Sequence, residues 1–357
     1  MSANSSLEHL YLHFPFCTGR CGYCAFVSGP PPTNVLGYLQ TLQAELDARQ
    51  IHLNPLKTLY CGGGTPSLIG SEGFKALQQS GPSTFAKDYE WSVELHPATV
   101  TPELMATLAE CGVTRISIGV QSFDDNVLRH CNRRHTVAQA LQAIETARAV
   151  IPDTGIDLIA GLPGVTTQQW RDTLTRTLEL DLPHLSIYSL SIDEGSLWAQ
   201  QGILPPDADL VCDAIAEAQA RLHAAGLVRY ETSNYARPTY ECRHNLNTWH
   251  GGDYVGLGRG AVSRIGTLRR YGDGNEEHLS SLDDALERTL TALRLNTGLN
   301  LAQCERDFPI LSPFIEQWRI RLSLFQQQGL LTDRFAPTLR GYEVLDAMER
   351  SLLEVTQ

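Results

Sequence analysis

The stretch His13-Phe14-Pro15-Phe16-Cys17-Thr18-Gly19-Arg20-Cys21-Gly22-Tyr23-Cys24-Ala25-Phe26 sets three thiols at C-x3-C-x2-C spacing near the amino end of a 357-residue chain. Thiolates select soft metals, and a tight loop carrying three of them can hold zinc or an iron-sulfur cluster. A structural zinc site calls for a fourth ligand. None follows nearby, because the position two beyond Cys24 is Phe26. Three thiolates on a cubane leave one iron open. The remaining cysteines, Cys61, Cys111, Cys131, Cys212, Cys242 and Cys304, are scattered, and an odd total of nine argues against a disulfide scaffold. They read as small buried hydrophobes.

An open iron suits S-adenosylmethionine (SAM), whose amine and carboxylate can chelate it, and the uneven spacing resembles the signature of radical SAM proteins. That resemblance implies a [4Fe-4S] cluster on Cys17, Cys21 and Cys24, and a reduced cluster able to cleave SAM to an adenosyl radical.

Outward from the triplet, short apolar runs rich in β-branched and aromatic residues alternate with helical patterns. Strands are expected at 10–14, 58–60, 91–95, 115–120, 155–160 and 184–190, and helices at 34–49, 68–79, 101–110, 124–130, 136–149 and 167–179. This alternation reads as βαβ units around a parallel sheet, an α/β fold with too few strands for a closed eight-stranded barrel. Thr101 before Pro102, and Thr136 before VAQALQAIETA, are expected helix caps. After about Leu190 the rhythm changes: a loop at 191–206, an Ala-rich helix at 207–225, Gly-, Tyr- and Asn-rich segments with short strands to 265, then helical patterns from 282. Two domains are expected, 1–205 and 206–357.

Further polar residues fall at the expected strand ends, where parallel α/β folds build their sites. Gly63, Gly64 and Thr65, in YCGGGTPSL, let backbone N-H groups approach a ligand. Glu94 sets a carboxylate among apolar neighbours and needs a partner; a SAM ammonium or ribose would be one. Gln121 ends the fourth strand, where its amide can both donate and accept toward ribose. Arg133 and Asp157 complete a polar ring, and Tyr11 and Tyr23 are candidates to flank cofactor and cluster.

A formal charge of −12 with no long Lys/Arg block excludes a broad nucleic-acid footprint. It leaves room for local basic sites at Arg133 and Arg134, or at Arg264, Arg269 and Arg270. No run of 18 apolar residues occurs, and MSANSSLEHLYLHF lacks the features of a secretory signal. A cytoplasmic protein is expected, with peripheral contact at a membrane left open.

The blocks LYLHFPFCTGRCGYCAF, LYCGGGTPSL, GVTRISIGVQSFDDNVLRHCNRRHT, GIDLIAGLPGVT and CRHNLNTWHGGDYVGLGRGA run in order along the chain. With them the sequence resembles the oxygen-independent coproporphyrinogen III oxidase-like family, nearest its HemW-type heme chaperones. The resemblance implies a six-stranded partial TIM barrel, (β/α)6, followed by a smaller, mostly helical C-terminal domain. Coproporphyrinogen dehydrogenases of the family carry a further cysteine where this chain has Phe26, and the chaperones have Phe there. The chaperones also carry an HNxxYW motif, matched here by His244, Asn245 and Trp249, with Thr248 in place of Tyr. Arg259 and Val262 are departures from the usual Pro and His just beyond. The resemblance thus implies a chaperone that binds heme, with His244, Asn245 and Trp249 as heme-binding candidates, and passes it to recipient hemoproteins. It would carry SAM and the cluster, draw on a reducing electron donor, and be open to forming a homodimer. The alternative it implies is a radical SAM oxidoreductase acting on coproporphyrinogen III or another substrate.

Overall fold

The computed structural model describes residues 7–80 and 84–356; the first six residues of the segment read for targeting features lie outside them. Six parallel strands follow one another in space as in sequence: β1 (His9–Phe14), β2 (Leu56–Gly63), β3 (Phe85–Leu95), β4 (Arg115–Gln121), β5 (Thr154–Ala160) and β6 (His184–Ser189). The helices α1 (Val35–Ala48), α2 (Gly70–Ser80), α3 (Pro102–Cys111), α4 (Asp125–His130), α5 (Val137–Arg148) and α6 (Thr167–Glu179) fill the connections. This is the (β/α) partial barrel expected from the sequence. Buried side chains such as Leu59, Val93, Ile118, Ile156 and Leu185 make its core.

Local signals explain why the helices begin where they do. The Thr101 hydroxyl accepts from Leu104 N at 3.1 Å with Pro102 in the first turn, and Thr136 forms a capping box with Gln139. A second capping box, Thr166 with Gln169, starts α6.

Beyond β6 the chain departs from the expected loop at 191–206. Ser196 caps a one-turn helix, α7 (Leu197–Gln200), before the long α8 (Ala208–Ala224). The Gly- and Asn-rich region then returns to the sheet at both edges. β7 (Val228–Arg229) and β8 (Asn234–Ala236) add antiparallel strands beside β6. After a short helix, α9 (Arg243–Trp249), β9 (Val255–Leu257) pairs parallel with β1. The sheet therefore has nine strands, and it continues past residue 205.

A three-stranded antiparallel ribbon of β10 (Val262–Ile265), β11 (Leu268–Tyr271) and β12 (Glu276–His278) leads into the C-terminal helices. These are α10 (Ser281–Ala292), α11 (Leu301–Asp307), α12 (Ser312–Gln327), α13 (Leu339–Glu343) and α14 (Leu345–Leu353). They bury a separate core around Leu290, Ile315, Trp318, Leu322 and Met348, and the Trp318 indole donates to Leu352 O at 2.9 Å. Among the described residues no helix is long and apolar enough to cross a membrane.

Candidate functional site

The thiols lie on the loop leaving the C-terminal end of β1. Its base is pinned by Cys17 N donating to Gly29 O at 2.7 Å and Gly29 N donating to Pro15 O at 2.9 Å. Its tip is held by two distant segments. Gly22 N donates to Cys131 O at 3.0 Å, and Trp198 N donates to Gly22 O at 2.9 Å. Arg20 Nη2 donates to Gly195 O at 2.6 Å, while Asn132 Nδ2 donates to Arg20 O, also at 2.6 Å. Gly22 lies so close to the Trp198 indole that a Cβ would collide with it.

The loop walls one side of an open cavity of ≈ 390 Å³ at the C-terminal ends of the strands. Cys17, Cys21, Cys24 and Tyr23 line it, and so do Gly63, Gly64, Thr65, Glu94, Gln121, Arg133 and Asp157. Each strand delivers its contribution just past its last inward-facing residue, so positions far apart in sequence converge. Tyr11 is not among the lining residues. It packs inside the barrel, its ring 6.0 Å from that of Tyr60 and its hydroxyl 3.0 Å from His13 Nδ1.

The electrostatics follow from burial. Glu94 accepts from Tyr60 Oη at 2.9 Å and from Gly63 N at 3.1 Å, but burial, reinforced by the nearby Asp157 carboxylate, raises its carboxyl to about 7. Burial likewise raises Asp157, against the hydroxyls of Ser186 and Ser117, the latter donating to Asp157 Oδ1 at 2.9 Å. Two adjacent carboxyls with few cations between them suit a ligand that brings positive charge and hydroxyls. Arg133 donates to Gly119 O and reaches Cys21 Sγ at 3.6 Å, and its Nε is buried without an acceptor among the described residues. The Thr65 hydroxyl stands 3.6 Å from Cys17 Sγ.

Gly63 has φ +110°, open to glycine, and a Cβ there would press on the His13 ring. Gln121 has φ +71° at an irregularity in the β4–β5 pairing. A non-glycine residue in the left-handed region at a site is a mark of functional constraint.

Sequence reasoning missed His96, Tyr188 and Asp193, which also line the cavity. His96 Nδ1 accepts from Ala98 N at 3.1 Å, and burial, with Arg133 and His135 nearby, lowers its pKa to about 2, so its neutral ring keeps the proton on Nε2. The i+2 spacing from Glu94 on a strand end was the available signal.

The fit to an iron-sulfur cluster rests on donor chemistry. Three partly buried, unbridged thiols share one wall, and a guanidinium and a hydroxyl reach toward two of the sulfurs. Among the described residues, no three His, Cys, Asp or Glu side chains are already gathered as a metal would hold them.

The residues expected to meet heme lie elsewhere. His244 is only 6% exposed and sits on α9 near the N-terminal ends of the strands, away from the cysteine loop. Its Nδ1 is 2.8 Å from the hydroxyl of Thr58, and burial lowers its pKa to about 3. Glu90 fastens the helix start, accepting from Arg243 N at 2.9 Å and His244 N at 3.2 Å. Trp249 lies against the Arg294 guanidinium, 5.5 Å from its ring centre. Neither His244, Asn245 nor Trp249 lines the cavity. Thr58 on β2 and Glu90 on β3 hold the helix start in place.

A partial (β/α) barrel with a three-thiol loop at the mouth of a polar cavity is the architecture of the radical SAM class. A model of the radical SAM superfamily matches residues 11–176. The heme chaperone HemW of Escherichia coli is 36% identical over 265 residues, 72% of this chain and 70% of that protein. HemW of Mycobacterium tuberculosis is 34% identical over an alignment of 385, covering 96% of this chain and 94% of the other. The structure of the Escherichia coli coproporphyrinogen III oxidase HemN, a radical SAM enzyme, superposes with a TM-score of 0.80 at 23% identity over 98% of this chain and 90% of that one, which shows the shared fold. The chain belongs to the HemW family of radical SAM proteins.

Proposed function

We propose that this chain is a heme chaperone: it binds heme and passes it to recipient hemoproteins, with a [4Fe-4S] cluster and SAM at the barrel mouth. The observation that carries this reading is the similarity along 96% of the chain to a protein named as a heme chaperone. Phe26, where the dehydrogenases of the wider family carry cysteine, supports it.

In this reading Cys17, Cys21 and Cys24 hold the cluster. Gly63, Gly64 and Thr65 present backbone and hydroxyl groups to the methionine end of SAM, and Glu94 and Asp157 face its positive charge. Gln121 orients the ribose and Arg133 steadies the Cys21 sulfur. When bound and reduced, the cluster supplies electrons for cleavage of the SAM sulfonium. The barrel's part is to position that cofactor and to keep water from it.

The test is an anaerobic titration of the cluster-reconstituted protein with heme, with coproporphyrinogen III turnover assayed on the same sample. Stoichiometric heme binding without decarboxylation is the expected result. Decarboxylation that needs both SAM and Cys17 would replace the reading with the oxidoreductase one.

A further inference from the structure

The methionine end of SAM is a zwitterion, so its site needs donors as well as acceptors. In the reading above Glu94 and Asp157 face the ammonium, but they repel the carboxylate, which calls for N-H groups of its own. The cavity wall between the ends of β3 and β4 supplies them. Arg133 lines it, with Nη2 donating to Gly119 O and Nη1 3.6 Å from Cys21 Sγ. Gly119 keeps this corner open: a Cβ there would stand 2.8 Å from Gln121 Nε2 and 3.5 Å from Arg133 Nη2.

His96, just past the end of β3 and two residues beyond Glu94, lines the same cavity and lies close enough to Arg133 to feel its charge. Its ring is held in one orientation. Nδ1 accepts from Ala98 N at 3.1 Å, and the ring meets that of the buried His135 edge-on, with centres 5.1 Å apart. The turn that seats it is fastened separately: Thr99 N and the Thr99 hydroxyl donate to His96 O at 2.9 and 2.7 Å, and that hydroxyl stands 2.6 Å from the hydroxyl of Ser67, beyond β2. With Nδ1 accepting, the neutral ring carries its proton on Nε2. Among the described residues no hydrogen bond engages that nitrogen. Capping a turn asks for one acceptor atom, which a shorter polar side chain supplies. A second nitrogen, fixed in angle on a cavity wall, is a donor organised in advance of its ligand.

We infer that His96 is a further cofactor-binding residue of this chain, its Nε2-H donating to the methionine carboxylate of SAM beside Arg133. The inference rests on the SAM reading above and gives the carboxylate the partner which that reading leaves out. A carboxylate has two oxygens and several acceptor positions, so contact with iron leaves room for such a bond. His96 thereby separates SAM from molecules that share its sulfonium and adenosine but lack the carboxylate.

The experiment is anaerobic equilibrium dialysis of the cluster-reconstituted full chain against SAM and against decarboxylated SAM, for the wild type, His96→Ala, His96→Gln and His96→Asn. Iron content and thermal melts accompany each variant. His96→Ala is expected to weaken SAM binding about tenfold, the loss of one hydrogen bond to a charged group, and to change binding of decarboxylated SAM less than about twofold. The two amides divide the roles of the ring. His96→Gln carries an N-H about as far out as Nε2 and should keep most of the SAM affinity. His96→Asn offers Ala98 N an acceptor but falls short of the cavity, so it should melt like the wild type and bind SAM like His96→Ala.

Equal losses for the two ligands in His96→Ala, or wild-type SAM affinity in His96→Asn, would overturn the inference while leaving the SAM reading intact, because His96 would then act only through its turn. Weaker heme binding by a folded His96→Ala protein at unchanged SAM affinity would also overturn it, since the donor would then serve a carboxylate of the cargo. No SAM binding by the reconstituted wild type would instead overturn the cofactor reading itself.

Discussion

Glu94 carries a pH dependence that can be read on its own. Its carboxyl is raised from the ordinary 4.5 to about 7, by burial first and by Asp157 second. A carboxyl raised on folding holds a proton that the unfolded chain has released, so between those values the fold loses stability as pH rises. The side chain also touches the water of the cavity, so the effect is on the order of 1–2 kcal/mol rather than the full shift. Without SAM, Glu94→Gln should therefore raise Tm at about pH 8 and change it little at about pH 4.5, as followed by thermal melts; equal shifts at both would place the titration elsewhere. Gln121 is the complementary case. Relief of its left-handed backbone by Gln121→Gly should leave stability unchanged or raise it by about 1 kcal/mol. The same variant should weaken SAM binding measured by equilibrium dialysis, and wild-type affinity in it would remove Gln121 from the site. Both residues were legible in the sequence as polar side chains closing apolar strands. Tyr11 lies beside Tyr60 and outside the cavity lining, and its place six residues before Cys17 says nothing about which strand face it occupies.

At the scale of elements, the long periodic segments were readable and the short ones were not. The six parallel strands and six intervening helices lie within a few residues of expectation because apolar period and caps agree along them, except that β3 begins six residues before the expected start at 91. α7 and α9, with four and seven residues, contain too few turns for periodicity to register, and both are fixed by partners far off in sequence. α7 places Trp198 beneath Gly22, and α9 is started by Glu90 on β3. The burial of His244 follows from that second contact, which no local pattern announces. Trp198→Ala removes the floor of the cysteine loop, a large-to-small change of the kind that costs about 3–5 kcal/mol in a core. The expected outcome is a lower Tm together with faster loss of iron to a chelator; normal iron retention would show that the clamp at Arg20 and Asn132 suffices.

For the whole molecule, the expected boundary at 205 runs through a continuous sheet. A fragment ending there would lack β8 beside β6 and β9 beside β1, leaving unpaired edges on both sides. Such a fragment is expected to aggregate on expression. A soluble, monomeric 1–205 fragment with cooperative melting, seen by gel filtration and calorimetry, would show that the first half folds alone. The C-terminal helices were legible as a group because their core around Trp318 and Leu322 is their own. Their relation to the sheet was not, because the strands that bridge the two regions are only two to four residues long.

The pairing of β1 with β9 also imposes an order on biogenesis. The cysteine loop precedes both of its distant supports in the chain: its tip is not clamped until Trp198 has been made, and the strand before it has no second neighbour until residues 255–257 emerge. Because chains emerge amino end first, the nascent protein passes through a long interval in which three thiols are displayed on an unfinished scaffold. Whatever gathers the three thiols before residues 255–257 are made meets an unfinished scaffold, and whatever gathers them afterwards meets a nearly complete barrel.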